Sequence, residues 1–316
     1  MGLFSSLFGS KKSEESQQEK QEKKNFEILK YDGIRARNMH QFRYAIKCLK
    51  QATALKEDAE VLECLASCYL ASNNTEGAEK TYRRLVKLSP ENIKSYLALA
   101  NVFFMEEKYE DMQHVCSKAI ALDEKNSFAY FLAAKAERGL NDQLQAIVMS
   151  SKAIANDENY TEAYLLRAEV LLNMMQPQEA KKDVDVVFEK EPENEDVLVL
   201  KGEIEAILKN EELGFECLNK VLELNPFNEK AYLLKGDILT ELNRYDEAME
   251  VYKEAFELIP NSAKLYKQRG RTRMLMGDKE GSLEDVKKSI ELNPESENQI
   301  TGNYNNFSQQ PKTGIY

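Results

Sequence analysis

Residues 229–262 read EKAYLLKGDILTELNRYDEAMEVYKEAFELIPNS, and the spacing within this stretch recurs every 34 residues along the chain. Tyr232 is followed four positions later by Gly236, and a second small residue, Ala248, comes twelve positions after that glycine. Pro260 closes the stretch. Small residues let two helices approach closely, and proline ends a helix because it lacks a backbone N–H. The stretch therefore predicts a helix–turn–helix hairpin.

The same spacing fits eight consecutive units between residues 26 and 296. The register is unbroken from Ala59 onward, whereas the first unit, which starts at Phe26, is one residue short. The eighth position of every unit is small: Gly33, Ala66, Ala100, Ala134, Ala168, Gly202, Gly236 and Gly270. Five of the seven prolines close a unit: Pro90, Pro192, Pro226, Pro260 and Pro294. One hairpin cannot bury its apolar face alone, so a repeat of this length predicts a stack of hairpins.

This pattern resembles the tetratricopeptide repeat, a helical hairpin of 34 residues with tyrosine, alanine and proline at these offsets. The resemblance covers residues 26–296 and implies an all-α fold, a right-handed superhelical solenoid of eight tandem hairpins. The chain departs from the family pattern in having no tryptophan. It also has a long cation where leucine is expected in four units: Arg167, Lys201, Lys235 and Arg269. The stems of such side chains can pack while their charged heads reach water.

The two ends of the chain differ from the repeats. Residues 1–25 are predicted to be a flexible segment or fraying helix with an apolar tip, MGLFSSLFG, over residues 1–9. The tip admits three interpretations: weak docking on a membrane or partner, myristoylation at Gly2, or an incidental apolar end. Residues 297–316 are polar, lack helical periodicity and are predicted to be a disordered tail. Either this tail or another element is expected to cover three apolar side chains of the last unit: Leu283, Val286 and Ile290.

Charge is spread unevenly along the chain. The protein has a net charge of −11, and residues 161–262 alone hold 24 acidic and 11 basic side chains, a net charge of −13. The last unit is positive by two. A phosphate backbone would be repelled by most of this surface, so no nucleic-acid partner is expected and a basic or mixed-charge protein partner is favoured.

No segment approaches the ~18–20 consecutive apolar residues of a membrane span, and no secretory signal precedes the repeats. The expected location is therefore the cytoplasm, with a weak membrane contact through the tip as an added option.

Sequence motifs for catalysis are missing. The two histidines, His40 and His114, lie far apart in the chain, and the glycine-containing turn at 277–282 lacks the Lys-Ser/Thr ending of a phosphate-binding loop. The five cysteines occupy core-type positions and do not show the paired spacing of zinc knuckles, so buried, reduced thiols are favoured over a metal site. No cofactor, metal or catalytic residue is predicted.

Partner-binding residues follow from the resemblance, because the second, fifth, ninth, twelfth and thirteenth positions of this repeat face the concave groove. Among those positions the predicted contacts are Leu97, Asn101, Phe128, Phe131, Lys135, Glu162, Leu165, Glu169, Asp196, Val199, Glu203, Leu233, Asp237, Lys267 and Arg271. The apolar members form a stripe with carboxylates beside it. The lysine–asparagine pair with which some family members grip a C-terminal carboxylate is missing, which disfavours a co-chaperone of that kind.

The sequence thus favours a non-enzymatic scaffold or adaptor that binds a protein segment in the groove. The alternative is a membrane-associated assembly factor tethered through residues 1–9. An enzyme is less favoured, because the segments outside the repeats are too short to form a catalytic domain.

Overall fold

A computed structural model describes the backbone of residues 5–294 and the side chains of residues 19–294. Within that range the chain consists of sixteen α-helices joined by short turns, and it has no β-strand. Consecutive helices pair as hairpins, each with a first helix (A) and a second helix (B). The predicted all-α array of eight helical hairpins is confirmed.

The A helices carry odd numbers: α1 Ser5–Asn38, α3 Ala59–Ala71, α5 Ile93–Met105, α7 Ser127–Gly139, α9 Thr161–Asn173, α11 Glu195–Ile207, α13 Glu229–Glu241 and α15 Ala263–Met276. The B helices carry even numbers: α2 Phe42–Leu55, α4 Thr75–Leu88, α6 Tyr109–Leu122, α8 Gln143–Asn156, α10 Pro177–Lys190, α12 Glu211–Leu224, α14 Tyr245–Leu258 and α16 Lys279–Leu292.

Helix ends follow the local chemistry of the repeat. The side chain of Asn228 accepts a hydrogen bond from the backbone N–H of Ala231 at 3.0 Å, so it caps the start of α13. α14 ends at Leu258, two residues before Pro260, as predicted from the shared proline position. Pro177 is the first residue of α10, where its missing N–H has no helical acceptor to lose.

The turn between helices A and B contains a residue in the left-handed conformation. In α13 the helix ends in a Schellman motif, because the N–H groups of Asn243 and Arg244 bond back to the carbonyls of Thr240 and Leu239. The equivalent residues with positive φ are His40, Asn73, Glu107, Asn141, Met175, Lys209, Asn243 and Gly277. One of the eight is glycine and three are asparagines, which tolerate this conformation, so the repeat imposes it on four residues that disfavour it: His40, Glu107, Met175 and Lys209.

The described chain forms two compact units, up to Val170 and from Leu171 onward. The core of the first unit includes Leu62, Tyr82, Leu99, Phe103 and Met112, all buried between successive hairpins. In the second unit, one core cluster includes Tyr232, Leu239, Tyr252, Ala255 and Leu265. The small residues at the eighth position of the eight units are all buried, including Gly33, where an added Cβ would lie 2.6 Å from the Leu49 side chain.

The backbones of the two helices of a hairpin approach each other closely where each helix has a glycine at the contact. A Cβ added to Gly214 of α12 would lie 3.1 Å from the carbonyl oxygen of Gly202 in α11, so the two backbones meet almost directly. At Gly236 of α13, an added Cβ would lie 2.5 Å from three atoms of the Tyr252 side chain, which comes from α14. The ring of Tyr252 therefore occupies the space that a larger residue at position 236 would need.

The four cations that depart from the family pattern are engaged rather than merely solvated. Arg167 donates to Ser151 Oγ at 2.8 Å, and Lys235 donates to Asn219 Oδ1 at 2.7 Å. Lys201 forms an ion pair with Asp185. In each case an A helix is tied to the preceding B helix. The expectation that these heads simply reach water was incomplete, because the preceding helix supplies a polar partner.

The fourth cation binds within its own hairpin. Arg269 donates two hydrogen bonds to the buried carboxylate of Asp285, at 2.9 and 2.6 Å, and Arg273 lies 3.2 Å from the same carboxylate. A bidentate arginine–carboxylate pair fixes both distance and orientation. This network holds α15 against α16, whose own buried residues are Ser282, Asp285 and Ser289 rather than large apolar side chains.

The two ends of the chain lie partly outside the described residues. α1 begins at Ser5, so the backbone of the N-terminal segment is helical from that residue, while the side chains of residues 1–18 lie outside the described part. The predicted tail at 297–316 also lies outside it. The roles suggested for the tip and the tail stay predictions.

We expect Gly236→Leu to destabilise the second unit by about 1–3 kcal/mol, because the added side chain would overpack the site filled by Tyr252. Urea unfolding would measure the change in free energy. Lys230→Leu, which places the same residue at an exposed position of α13, is the control. In hydrogen exchange, α13–α16 should lose protection before α1–α8, since repeat stability is largely a nearest-neighbour property. Equal loss in all helices would contradict this.

Candidate protein-binding surface

The A helices of neighbouring hairpins contact one another: α5 contacts α7 in the first unit, and α13 contacts both α11 and α15 in the second. Side chains of these helices that do not pack against a B helix therefore share a surface. We call this surface the A-helix face and treat it separately in each unit. The predicted binding residues all belong to these helices.

Aromatic rings dominate the A-helix face of the first unit. The ring of Phe131 lies 5.1 Å from that of Tyr160 and 6.4 Å from that of Phe128, measured between centroids. Phe104 comes from the neighbouring A helix, α5, and its ring lies 3.5 Å from the ammonium nitrogen of Lys135. These five residues are called the aromatic patch. Phe128 is 38% exposed, so the patch is open to a partner.

Lys135 sits on the ring faces of the aromatic patch. Its ammonium nitrogen lies 3.5 Å from the Phe104 centroid and 5.6 Å from the Phe131 centroid, a cation–π arrangement. Burial lowers the pKa of Lys135, and the nearby positive charge of Arg138 lowers it further. No carboxylate among the described residues pairs with this ammonium. The patch thus presents a partly desolvated cation together with apolar rings.

Other predicted residues of the first unit are partly occupied by local contacts. Arg138 forms an ion pair with Glu169 at 2.5 Å, and Asn101 donates to the backbone carbonyl of Leu97 at 3.1 Å. Leu97 and Leu165 are half-buried, whereas Glu162 is exposed. The structure therefore brings Phe128, Phe131 and Lys135 together as predicted neighbours and gives Glu169 and Asn101 a structural role as well.

In the second unit, two predicted contact residues are paired with each other. Asp237 accepts a hydrogen bond from Gln268 at 2.6 Å and lies 3.5 Å from Arg271. Burial raises the pKa of Asp237. The charge of Arg271 and the hydrogen bond from Gln268 lower this pKa, but by less than burial raises it. The carboxylate of Asp237 is therefore less available to a partner than the sequence suggested. Asp196 and Lys267 are exposed, and Glu203 and Leu233 are half-buried.

Val199 does not lie on the A-helix face. Its side chain is 1% exposed and belongs to a core cluster with Leu198, Leu218, Val221 and Ala231. The prediction that it is a contact residue is therefore not supported, because this position of α11 is used for packing. The apolar stripe is interrupted at this helix.

Three members of the surface were not among the predicted contacts. Phe104 and Arg138 occupy groove positions of their repeats, so position alone could have included them. Tyr160 lies just before α9, outside any groove position, and only its aromatic character marks it. Burial raises its pKa, with the charges of Glu162 and Asp157 adding to that effect.

The residues considered for other chemistry lie in ordinary structural settings. All five cysteines are buried and unpaired, and burial raises the pKa of the Cys116 thiol to about 12. His40 has positive φ in the first turn, and His114 is exposed on α6. Among the described residues no group of three histidine, cysteine or acidic side chains is placed to bind a metal ion. In the same range no helix combines the length and apolarity needed to cross a membrane.

Comparison with known proteins agrees with this geometry. A family model described as TPR repeat matches residues 236–277, and one described as tetratricopeptide repeat matches residues 33–93. No curated protein matched the sequence. Among solved structures, a tetratricopeptide repeat protein from Parabacteroides merdae has a TM-score of 0.66 at 17% identity, over 74% of this chain and 93% of that chain.

Two further solved structures share the fold. Pseudomonas aeruginosa pilF has a TM-score of 0.56 at 14% identity, over 68% of this chain and 99% of its own. A chain of the APC/C hetero-tetramer Cut9-Hcn1 has a TM-score of 0.58 at 14% identity, over 80% of this chain and 50% of its own. The described residues thus form eight hairpins with the spacing of the tetratricopeptide repeat, and two stretches of the chain match models of that repeat. Proteins of this family generally mediate protein–protein interactions.

Asp237→Asn tests the electrostatics of the second unit. Because burial raises the pKa of Asp237 in the folded protein, ionisation of this carboxyl destabilises the fold. The stability present below the usual pKa of about 3.9 is lost as pH rises through the raised pKa. The asparagine variant has no charge to bury. The free energy of unfolding of Asp237→Asn minus that of wild type should therefore be larger, and the variant relatively more stable, at pH 7 than at pH 3. Urea unfolding at both pH values measures this difference.

The matched control is Asp196→Asn, which makes the same change at an exposed position of α11. A difference between Asp237→Asn and wild type that is the same at both pH values would contradict this account of Asp237.

Proposed function

We propose that the protein is a non-enzymatic scaffold or adaptor that binds a segment of a partner protein on its A-helix face. The aromatic patch of the first unit carries this proposal. Its rings lie on one surface, are accessible at Phe128, and surround an ammonium group that has no carboxylate partner in the described structure. Aromatic side chains, including phenylalanine, are enriched at protein interfaces relative to the rest of the surface.

The chemistry of the patch defines what it can recognise. A large apolar side chain of the partner could pack on Phe128 and Phe131, while an acceptor group of the partner could bind the Lys135 ammonium. The acidic side chain of Glu162 at the edge of the same surface adds a site for a basic group. A mixed-charge partner segment with an apolar anchor therefore fits this surface better than a uniformly charged one.

The membrane-tethered alternative depends on residues 1–9, whose side chains lie outside the described part of the chain. No contact among the described residues favours it.

We expect Phe131→Ala to weaken binding of a partner captured by the intact protein by about 1–2 kcal/mol, since truncating a central aromatic residue removes much of its contact area. Phe128→Ala should weaken binding in the same direction. Because Phe128 is more exposed, this second variant separates lost contact from lost stability. Titration calorimetry with the purified partner measures the affinities, and thermal unfolding of each variant confirms that it is folded.

The matched control is Phe227→Ala, which removes a 66% exposed phenylalanine from the turn between α12 and α13. If folded Phe131→Ala and Phe128→Ala proteins both bind like wild type, the aromatic patch is not the binding surface.

A further inference from the structure

A cleft of about 400 Å³ lies between α11 and α13 on the A-helix face of the second unit. Its floor is apolar and includes Ala206, Ile207, Leu234 and Ile238. Ile207 is 43% exposed, so the floor can be reached from solvent. This volume falls within the range of sites that hold a ligand or an anchoring side chain.

Carboxylates surround this floor. Glu211 begins α12, where the helix dipole favours a negative charge, and Glu241 is the last residue of α13. Neither has an ion-pair partner among the described residues. Asp237 also borders the cleft, but its carboxylate already accepts a hydrogen bond from Gln268 and forms an ion pair with Arg271. Lys209 is the cation that lines the cleft.

The carboxylates are too dispersed to form a single cation site. No group of three ligating side chains in the described chain could hold one metal ion. Charges distributed around an apolar floor instead match a ligand whose own charges are distributed, such as a peptide. The negative field of residues 161–262, with a net charge of −13, would attract a basic segment and repel an acidic one.

We propose that the α11–α13 cleft binds a basic, amphipathic segment of a partner protein, with an apolar side chain on the floor and lysine or arginine side chains at Glu211 and Glu241. This inference rests on the proposed function, because it assumes that partners use the A-helix face. It goes further in assigning to the second unit a partner chemistry different from that of the aromatic patch, where an unpaired lysine is central.

The test uses the full-length protein and a fluorescent twelve-residue peptide of alternating lysine and leucine. Two companion peptides carry glutamate in place of lysine, or serine in place of leucine. Fluorescence anisotropy at fixed salt should show binding of the lysine–leucine peptide and much weaker binding of both companions. Glu211→Gln combined with Glu241→Gln should raise its Kd about fivefold, the size expected for two solvent-accessible ion pairs. Ile207→Ser should raise it as well.

The control double variant, Glu223→Gln with Glu257→Gln, makes the same net charge change on exposed positions of α12 and α14. It should change the Kd less than twofold. Equal weakening by the two double variants would show diffuse charge attraction and overturn the proposal, as would wild-type binding by Ile207→Ser. Sedimentation should show the same oligomeric state in both double variants as in wild type. A self-association that only the cleft variant abolishes would instead assign the cleft to a second copy of this chain.

Phe131→Ala distinguishes failure of this inference from failure of the proposed function. The lysine–leucine peptide should bind this variant like wild type, because Phe131 belongs to the first unit. If the peptide binding depends on Phe131 and not on the cleft residues, the cleft proposal is wrong while the scaffold function stands.

Discussion

The close approach of helices A and B is the constraint on which every hairpin depends. Where Tyr252 fills the hairpin of α13 and α14, position 236 has room only for glycine, and where Gly202 meets Gly214 the backbones themselves are in contact. Small residues at this position keep one side of the A helix against its B helix. The other side of the A helix is released from that packing requirement, which is why it can carry side chains suited to binding.

The A-helix faces of the two units differ in their side-chain chemistry. In the first unit the A-helix face has aromatic rings gathered around Lys135, whereas in the second it has an apolar cleft bordered by Glu211 and Glu241. The difference does not alter the hairpins, since the residues that vary are not those that determine helix contact. A repeat of constant packing can therefore present surfaces of different chemistry, and we propose that each surface selects its own partner segment.

Most of the fold could be predicted from spacing, because the small residues and closing prolines report directly on helix contact and helix ends. The left-handed turn residues could be predicted only in part, since Gly277 and the three asparagines favour that conformation while His40, Glu107, Met175 and Lys209 give no local signal. The sequence also did not indicate which side chains pair with each other. Asp237 and Arg271 share the ninth position of adjacent units, but only the three-dimensional arrangement shows that they meet. The burial of Val199 likewise depends on packing within the second unit.

The central claim is that partners bind the A-helix face rather than the B helices. A photo-crosslinking phenylalanine analogue placed at position 128 of α7, or at exposed position 118 of α6, tests this directly with the purified partner. We expect efficient cross-linking from position 128 and little from position 118, with the yields compared by mass spectrometry of the cross-linked peptides. Equal yields, or cross-linking from position 118 alone, would contradict it.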